Sequence, residues 1–130
     1  MVRGVGYPAP DHSHFRSVDA ALSGFTRRMA ASASGRKVVV LVYSEFGRRV
    51  RANASDGTDH GTAGPVFVLG DAVRGGLHGE QPSLTDLDAG DLTATVDFRD
   101  VYTALAGGTL GADAEQVVPG HDRLSARLLT

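Results

Sequence analysis

The chain has 130 residues, a hydrophobic fraction of 42% and a formal net charge of −2 at pH 7. The length suits one domain covering residues 1–130, and the apolar fraction is that of a folded protein rather than a disordered one. The small net charge gives no reason to expect nucleic acid or an anionic membrane surface as a partner. Cysteine is absent, which excludes disulfides and thiolate metal sites.

No window of the sequence approaches the roughly 18 consecutive apolar residues of a membrane span. The opening residues, MVRGVGYPAP, contain no apolar core of a signal peptide. As written, the sequence therefore predicts a cytoplasmic protein, or a piece of something longer.

The first predicted element is an amphipathic helix over about residues 14–33. Its apolar residues recur at spacings of three and four, which places them on one helix face: Phe15, Val18, Leu22, Phe25 and Met29. Gly35 is a suitable stop for this helix.

A nearly continuous apolar run, KVVVLVYSEF at 37–46, is typical of a strand that is covered on both faces. PVFVLG at 65–70 and LTATVDF at 92–98 predict two further strands, and a helix with Asp97 as its N-cap follows. We expect a three-layer α/β domain whose mostly parallel sheet has about three to five strands. The run at 38–43 is expected at its centre, packed on the first helix.

Two connections, residues 46–64 and 71–91, are long for a compact domain, and such loops are often functional. Ligands of open α/β sheets bind beyond the carboxyl ends of the strands. The sequence therefore predicts a ligand site in the loop that follows the strand at 37–46.

The segment PDHSHF carries Asp11, His12 and His14 just before the first helix. Asp and His are ligands for Zn, Mn or Fe, and a position before a helix can direct several of them to one point. The alternative is an N-cap, supplied by Asp11 or Ser13, with two exposed histidines.

The segment SEFGRRVR places Glu45 where the apolar strand ends, followed by Arg48, Arg49 and Arg51. A carboxylate at this position suits a metal ligand or an acid, and guanidinium groups recognise phosphate or sulfate. The alternative is a solvated basic loop in which Glu45 pairs with one arginine.

The segment SDGTDHGTAG, residues 55–64, contains the pair Asp59 and His60. His60 could bind a metal while a carboxylate such as Asp59 orients its second ring nitrogen; the alternative is an ordinary polar turn. His78 and Glu80 form a weaker pair that suits a surface loop. The sequence has no phosphate-binding glycine loop and no nucleophile elbow.

Taken in order, VVVLVYSEFGRRVRANASDGTDHG, PVFVLGDAVRGGLHGE and TVDFRDVYTAL resemble the bacterial family catalogued as domain of unknown function 1501. The resemblance spans most of residues 14–120. That family is grouped with the alkaline phosphatase and sulfatase superfamily, which implies an α/β sheet carrying a two-metal site. The resemblance covers the C-terminal portion of the superfamily's domain.

The resemblance also implies ligands for divalent Zn, Mn, Ca or Fe. SEFG stands where the superfamily has an Asp-His pair, so Glu45 takes the place of the Asp, and Phe46 takes the place of a histidine although it cannot coordinate. The superfamily's further histidine corresponds to His60, with Asp59 beside it, and PDHSHF fits loosely through Asp11 and His14. Arg48 becomes an anion contact.

The function implied is a metal-dependent hydrolase-like domain for phosphate or sulfate esters. It is incomplete, because the superfamily's nucleophile lies in a region that has no counterpart here, and no catalytic residue is assigned. The alternative is a non-catalytic binding or structural remnant of the fold.

The expected partners are a phosphate or sulfate ester and either a second copy of the chain or a separately encoded N-terminal half. Few helices are available to cover an apolar sheet, so an exposed face is expected. The alternative is that the tail folds back and covers part of that face through Leu124, Leu128 and Leu129.

Overall fold

The computed structural model describes residues 13–121 and 128–130, and these residues contain both helices and strands. The helices are α1 (Ser13–Ala30), α2 (Phe98–Leu110) and α3 (Ala114–Val117), with a 3₁₀ turn at Gly35–Lys37. The strands are β1 (Val40–Val42), β2 (Gly47–Ala52), β3 (Thr58–Gly61), β4 (Phe67–Leu69), β5 (Leu87–Asp88) and β6 (Asp91–Leu92). The mixed α/β class is therefore as predicted.

The strands form three two-stranded sheets, β1–β4, β2–β3 and β5–β6, and all three are antiparallel. The described residues thus do not form the mostly parallel, three-layer sheet that the sequence led us to expect. A continuous apolar run indicates that a strand is covered on both faces, but the direction of its neighbour is set by distant residues. In this chain the neighbour of β1 is β4, and the two run in opposite directions.

The core lies between α2 and the β1–β4 sheet. Its buried apolar side chains are Val101, Ala104, Leu105 and Leu128, and partly buried residues pack around them: Val39, Leu41, Val68, Val96 and Leu129. The helix expected to cover this sheet was α1, but it has no buried residue and supplies none of the core side chains. Instead, Phe25 and Met29 of α1 line an open groove beside Val38, Val40 and Leu69.

The third predicted strand, 92–98, is wrong over most of its length. Only Leu92 belongs to a strand, and it pairs with Leu87 in the β5–β6 hairpin. Ala89 and Gly90 connect the two strands with φ angles of 50° and 92°, the left-handed pair that a tight two-residue hairpin turn requires. Because of this turn, Leu92 pairs with Leu87, a residue only five positions earlier in the chain.

Helix α2 begins where its sequence predicts, after the N-cap Asp97, and it continues through Gly107 and Gly108 to Leu110. The side chain of Asp97 accepts a hydrogen bond from the backbone N–H of Arg99, and Gly111 closes the helix in the left-handed conformation. Gly108 lies inside the helix, where a Cβ atom would overlap the side chain of Leu129. The C-terminal residues therefore pack closely against α2.

Backbone hydrogen bonds also join residues 128–130 to residues 72–74. Val73 forms a β-bridge with Leu129, and the backbone N–H of Thr130 donates to the carbonyl of Ala72 at 2.9 Å. The predicted covering of the core by the tail is confirmed for Leu128 and Leu129. Leu124 lies outside the described residues.

The Asp97 cap makes a prediction about acid stability. Hydrogen bonds from the Arg99 side chain, and then from its backbone N–H, hold the pKa of Asp97 well below its usual range. A carboxylate with a lowered folded-state pKa contributes stability above about pH 4, and this contribution is lost as the pH falls below that value. Asp97→Asn keeps an oxygen that can cap the helix but removes the charge.

We therefore expect the urea midpoint of Asp97→Asn to fall less steeply than that of the unmodified chain between about pH 5 and pH 2. Asp86→Asn is a suitable control, because no side-chain hydrogen bond or ion pair of Asp86 occurs in the described residues. Equal pH slopes for Asp97→Asn and the unmodified chain would contradict the prediction.

Candidate functional site

The segment 46–64 is a β-hairpin rather than a long loop. Strands β2 and β3 pair antiparallel, with Gly47 opposite Gly61 and Arg48 opposite His60. Gly47 is buried, and a Cβ atom there would overlap the backbone of Ala63. The backbones on the two sides of the hairpin base therefore approach more closely than any other residue type would allow at this position.

Asn53 organises the turn of the hairpin. Its Oδ1 atom accepts hydrogen bonds from the backbone N–H groups of Ser55 and Gly57, at 3.0 and 3.1 Å. Its Nδ2 atom donates to Oδ1 of Asp59 at 3.0 Å. Sequence reasoning missed this residue, although an Asn followed by Ser, Asp and Gly is a recognisable turn signal.

Asp59 and His60 are neighbours on strand β3, and both are exposed. The carboxylate of Asp59 binds Asn53, and no hydrogen bond joins it to His60 within residues 13–121. Successive side chains on a strand point to opposite faces, so Asp59 is poorly placed to orient the imidazole ring of its neighbour. The predicted arrangement, in which Asp59 orients a metal-binding His60, is not formed.

The ring of His60 is instead held by Phe46. The two rings stack with their centroids 3.5 Å apart and an interplanar angle of 18°. The guanidinium of Arg48 lies 5.3 Å from the centroid of Phe46, and its Nη1 atom donates to the carbonyl of Thr58 at 2.9 Å. Phe46 cannot bind a metal. Its ring instead packs against two polar side chains of the hairpin, the imidazole of His60 and the guanidinium of Arg48.

These residues surround an open, shallow depression of about 550 Å³ on the hairpin, lined by Arg48, Arg49, Asn53, Thr58, Asp59 and His60. The two arginines differ in their partners. Arg49 forms an ion pair with Asp91, with 3.2 Å between Nη2 and Oδ2. Arg48 has no carboxylate partner among the described residues, so its charge is available to a bound anion.

The other predicted site residues are spread over the fold. Glu45 is exposed between β1 and β2, next to Phe46, and it forms no ion pair with an arginine in the part of the chain that is described. His14 is exposed near the start of α1 and does not line the depression. Asp11 and His12 lie outside the described residues.

Of the predicted site residues that the structure describes, the hairpin brings together Arg48, Asp59 and His60, with Arg49 beside them. Within residues 13–121 and 128–130, no three His, Asp or Glu side chains form a group that could hold a metal ion. His78 binds the carbonyl of Arg74 at 2.8 Å on the surface, as expected for a loop residue.

Fold and site together define a mixed α/β domain that carries a basic, solvent-open β-hairpin. The chain belongs to the family described as protein of unknown function DUF1501, whose model matches residues 7–129. No curated protein and no solved structure matches it. In the described part of the chain, no helix is both long and apolar enough to cross a membrane.

The close approach at the hairpin base predicts opposite effects for two glycine substitutions. Gly47→Ala forces the hairpin apart at Ala63, and we expect it to lower the free energy of unfolding by about 1–3 kcal/mol. Gly24→Ala is the control: it lies inside α1 with nothing within 4 Å of the added Cβ, so it is expected to add about 0.5–1 kcal/mol. Urea unfolding measures both changes, and a neutral Gly47→Ala would contradict the described hairpin.

Proposed function

We propose that this chain is an oxyanion-binding domain of phosphate- or sulfate-ester chemistry, related to the alkaline phosphatase and sulfatase superfamily. One observation carries the proposal. Arg48 and His60 lie opposite each other on the hairpin, beside an open depression, and the guanidinium of Arg48 has no carboxylate partner among the described residues.

The chemistry of the two side chains suits a tetrahedral oxyanion. Arg48 has five N–H donors, and the hydrogen bond to Thr58 occupies one nitrogen, which leaves donors for ligand oxygens. His60 adds a ring N–H, and its stacking on Phe46 fixes the plane of the ring before a ligand arrives. Holding these groups in place lowers the ordering cost of binding.

The relation to the superfamily rests on the order of the sequence motifs: SEFGR, then TDHG, then VDFRDVY. That superfamily has a parallel, three-layer sheet. The sheets of the described residues are antiparallel, so the relation is proposed from the motifs and not from the sheet.

The second candidate is metal-dependent hydrolysis, with Asp11, His14, Glu45, Asp59 and His60 as ligands. It is favoured by the position of Glu45 next to Phe46, whose ring stacks on His60. A bound Zn, Mn, Ca or Fe ion would polarise an ester oxygen and activate a nucleophile. The described geometry fits this poorly, because Asp59 binds Asn53 and no three-ligand group is formed within residues 13–121 and 128–130. We therefore place oxyanion binding first.

Calorimetric titration with inorganic phosphate and sulfate tests the proposal. We expect Arg48→Gln to weaken binding by about tenfold, because charge-assisted hydrogen bonds are lost. Arg48→Lys should weaken it less, since the charge remains while the forked geometry is lost. Arg51→Gln is the matched control, because Arg51 is on the same strand but does not line the depression. Equal losses for Arg48→Gln and Arg51→Gln would show that only general surface charge is involved.

Titration of the purified chain with Zn, Mn, Ca and Fe separates the two candidates. If oxyanion binding needs a metal, and His60→Ala abolishes metal binding, the hydrolase-like function gains support. If none of the four metals binds and the oxyanion affinity is unchanged without them, the ligand assignment for Asp11, His14, Glu45, Asp59 and His60 is wrong.

A further inference from the structure

Asp59 lines the same depression as Arg48, and the two side chains form no ion pair with each other. The Oδ1 atom of Asp59 accepts the hydrogen bond from Nδ2 of Asn53. No other hydrogen bond and no ion pair of the Asp59 side chain occurs within residues 13–121 and 128–130. Its Oδ2 atom is therefore available as an acceptor in a depression that also offers the N–H donors of Arg48.

Asn53 fixes the position of this carboxylate. The Oδ1 atom of Asn53 accepts hydrogen bonds from the backbone N–H groups of Ser55 and Gly57, so its amide group cannot turn over without losing both bonds. The Nδ2 atom is thereby directed at Asp59. Asp59 is exposed, yet its carboxylate is held in one place before a ligand arrives, which lowers the ordering cost of binding.

Irregular pairing of the hairpin brings Arg48 and Asp59 to one depression. The register between β2 and β3 shifts between Arg48 and Ala52. Residues 49–51 of β2 therefore lie opposite the single residue Asp59 of β3, which interrupts the regular alternation of side chains between the two faces. The guanidinium of Arg48 reaches the carbonyl of Thr58, the residue directly before Asp59, so the two charged groups approach the depression from adjacent positions of β3.

A ligand that satisfies both side chains has to present two kinds of oxygen. The guanidinium of Arg48 only donates, so it needs acceptor oxygens, whereas the carboxylate of Asp59 only accepts, so it needs an O–H donor. Hydrogenphosphate has both kinds, because one of its oxygens carries a proton. Sulfate and sulfate esters carry no proton at neutral pH, and their oxygens would meet the carboxylate as a like charge.

We infer that Asp59 selects an oxyanion that carries a proton, so that the ligand of the depression is a phosphate rather than a sulfate. This inference rests on the oxyanion site proposed above. Arg48 donates to the unprotonated oxygens of the ligand, and Oδ2 of Asp59 accepts from the protonated one. A phosphate monoester fits only while it keeps one proton, which it loses above about pH 6, whereas free hydrogenphosphate keeps its proton at higher pH.

Three dianions of equal charge test the role of the proton. At about pH 8, sulfate and methyl phosphate carry no proton, whereas inorganic phosphate is present mainly as hydrogenphosphate. Calorimetric titration is carried out with a chelator, so that no divalent metal bridges Asp59 and the anion. We expect inorganic phosphate to bind the unmodified chain about tenfold more tightly than either of the other anions, because one charge-assisted hydrogen bond distinguishes them. The comparison with methyl phosphate also separates free phosphate from an ester as the ligand at this pH.

Asp59→Asn tests whether the carboxylate causes this preference. Asparagine keeps an oxygen that can accept from Asn53, and its own amide can donate to an unprotonated ligand oxygen. We expect sulfate and methyl phosphate to bind this variant about tenfold more tightly than they bind the unmodified chain, so that the preference for inorganic phosphate disappears.

Asp56→Asn is the matched control. It removes the same charge from the same turn, but Asp56 does not line the depression, and its φ angle of 57° is one that asparagine adopts readily. This variant should leave the preference for inorganic phosphate unchanged.

Equal binding of the three anions to the unmodified chain, or tighter binding of sulfate, overturns the inference. So does a preference for inorganic phosphate that persists in Asp59→Asn. If the three anions bind equally and Arg48→Gln still weakens all of them, the proposed oxyanion site stands without this role of Asp59. If none of the three anions binds, the proposed site and this inference are both wrong.

Discussion

The packing of α2 against the β1–β4 sheet is the interaction on which the rest of the described structure depends. Val101, Ala104 and Leu105 supply the helix side of this core, and Leu128 closes it from the C-terminal end of the chain. The core is small, and each of these side chains therefore carries a large share of the apolar burial. Gly108 contributes to this packing, because the absence of a Cβ atom leaves space for the side chain of Leu129 beside the helix.

The candidate site is positioned by this core without belonging to it. The β2–β3 hairpin is inserted between β1 and β4, so the ladder between those two strands fixes both ends of the inserted segment. The ion pair between Arg49 and Asp91, and the hydrogen bond from Thr62 to the carbonyl of Leu92, hold the hairpin against the β5–β6 strands. Arg48 and His60 lie outside the core and are exposed to solvent. The fold is therefore stabilised without burying either side chain.

Local signals in the sequence predicted the elements whose causes are local. The apolar spacing of α1 and the cap at Asp97 each depend on residues a few positions apart, and both helices occur where they were expected. The direction of β1 could not be predicted in this way, because it depends on which distant segment pairs with it. The same holds for the choice of α2, rather than α1, as the helix of the core.

The hairpin shows a different limit of sequence reasoning. Its strands contain Gly and Arg in place of the usual β-branched pattern, so residues 46–64 resembled a loop. The sequence predicted Arg48 and His60 as site candidates, but it did not predict their pairing across two strands. Asn53 and the supporting role of Phe46 became evident only from the contacts they make.

Backbone amide chemical shifts, followed by NMR during a titration with sulfate, test the central claim most directly. The account predicts saturable shifts concentrated in residues 46–61, together with a shift of the Arg48 side-chain N–H signal, and weaker binding at higher ionic strength. Shifts that are absent from the hairpin, or that centre instead on Arg27 and Arg28 at the end of α1, would contradict it.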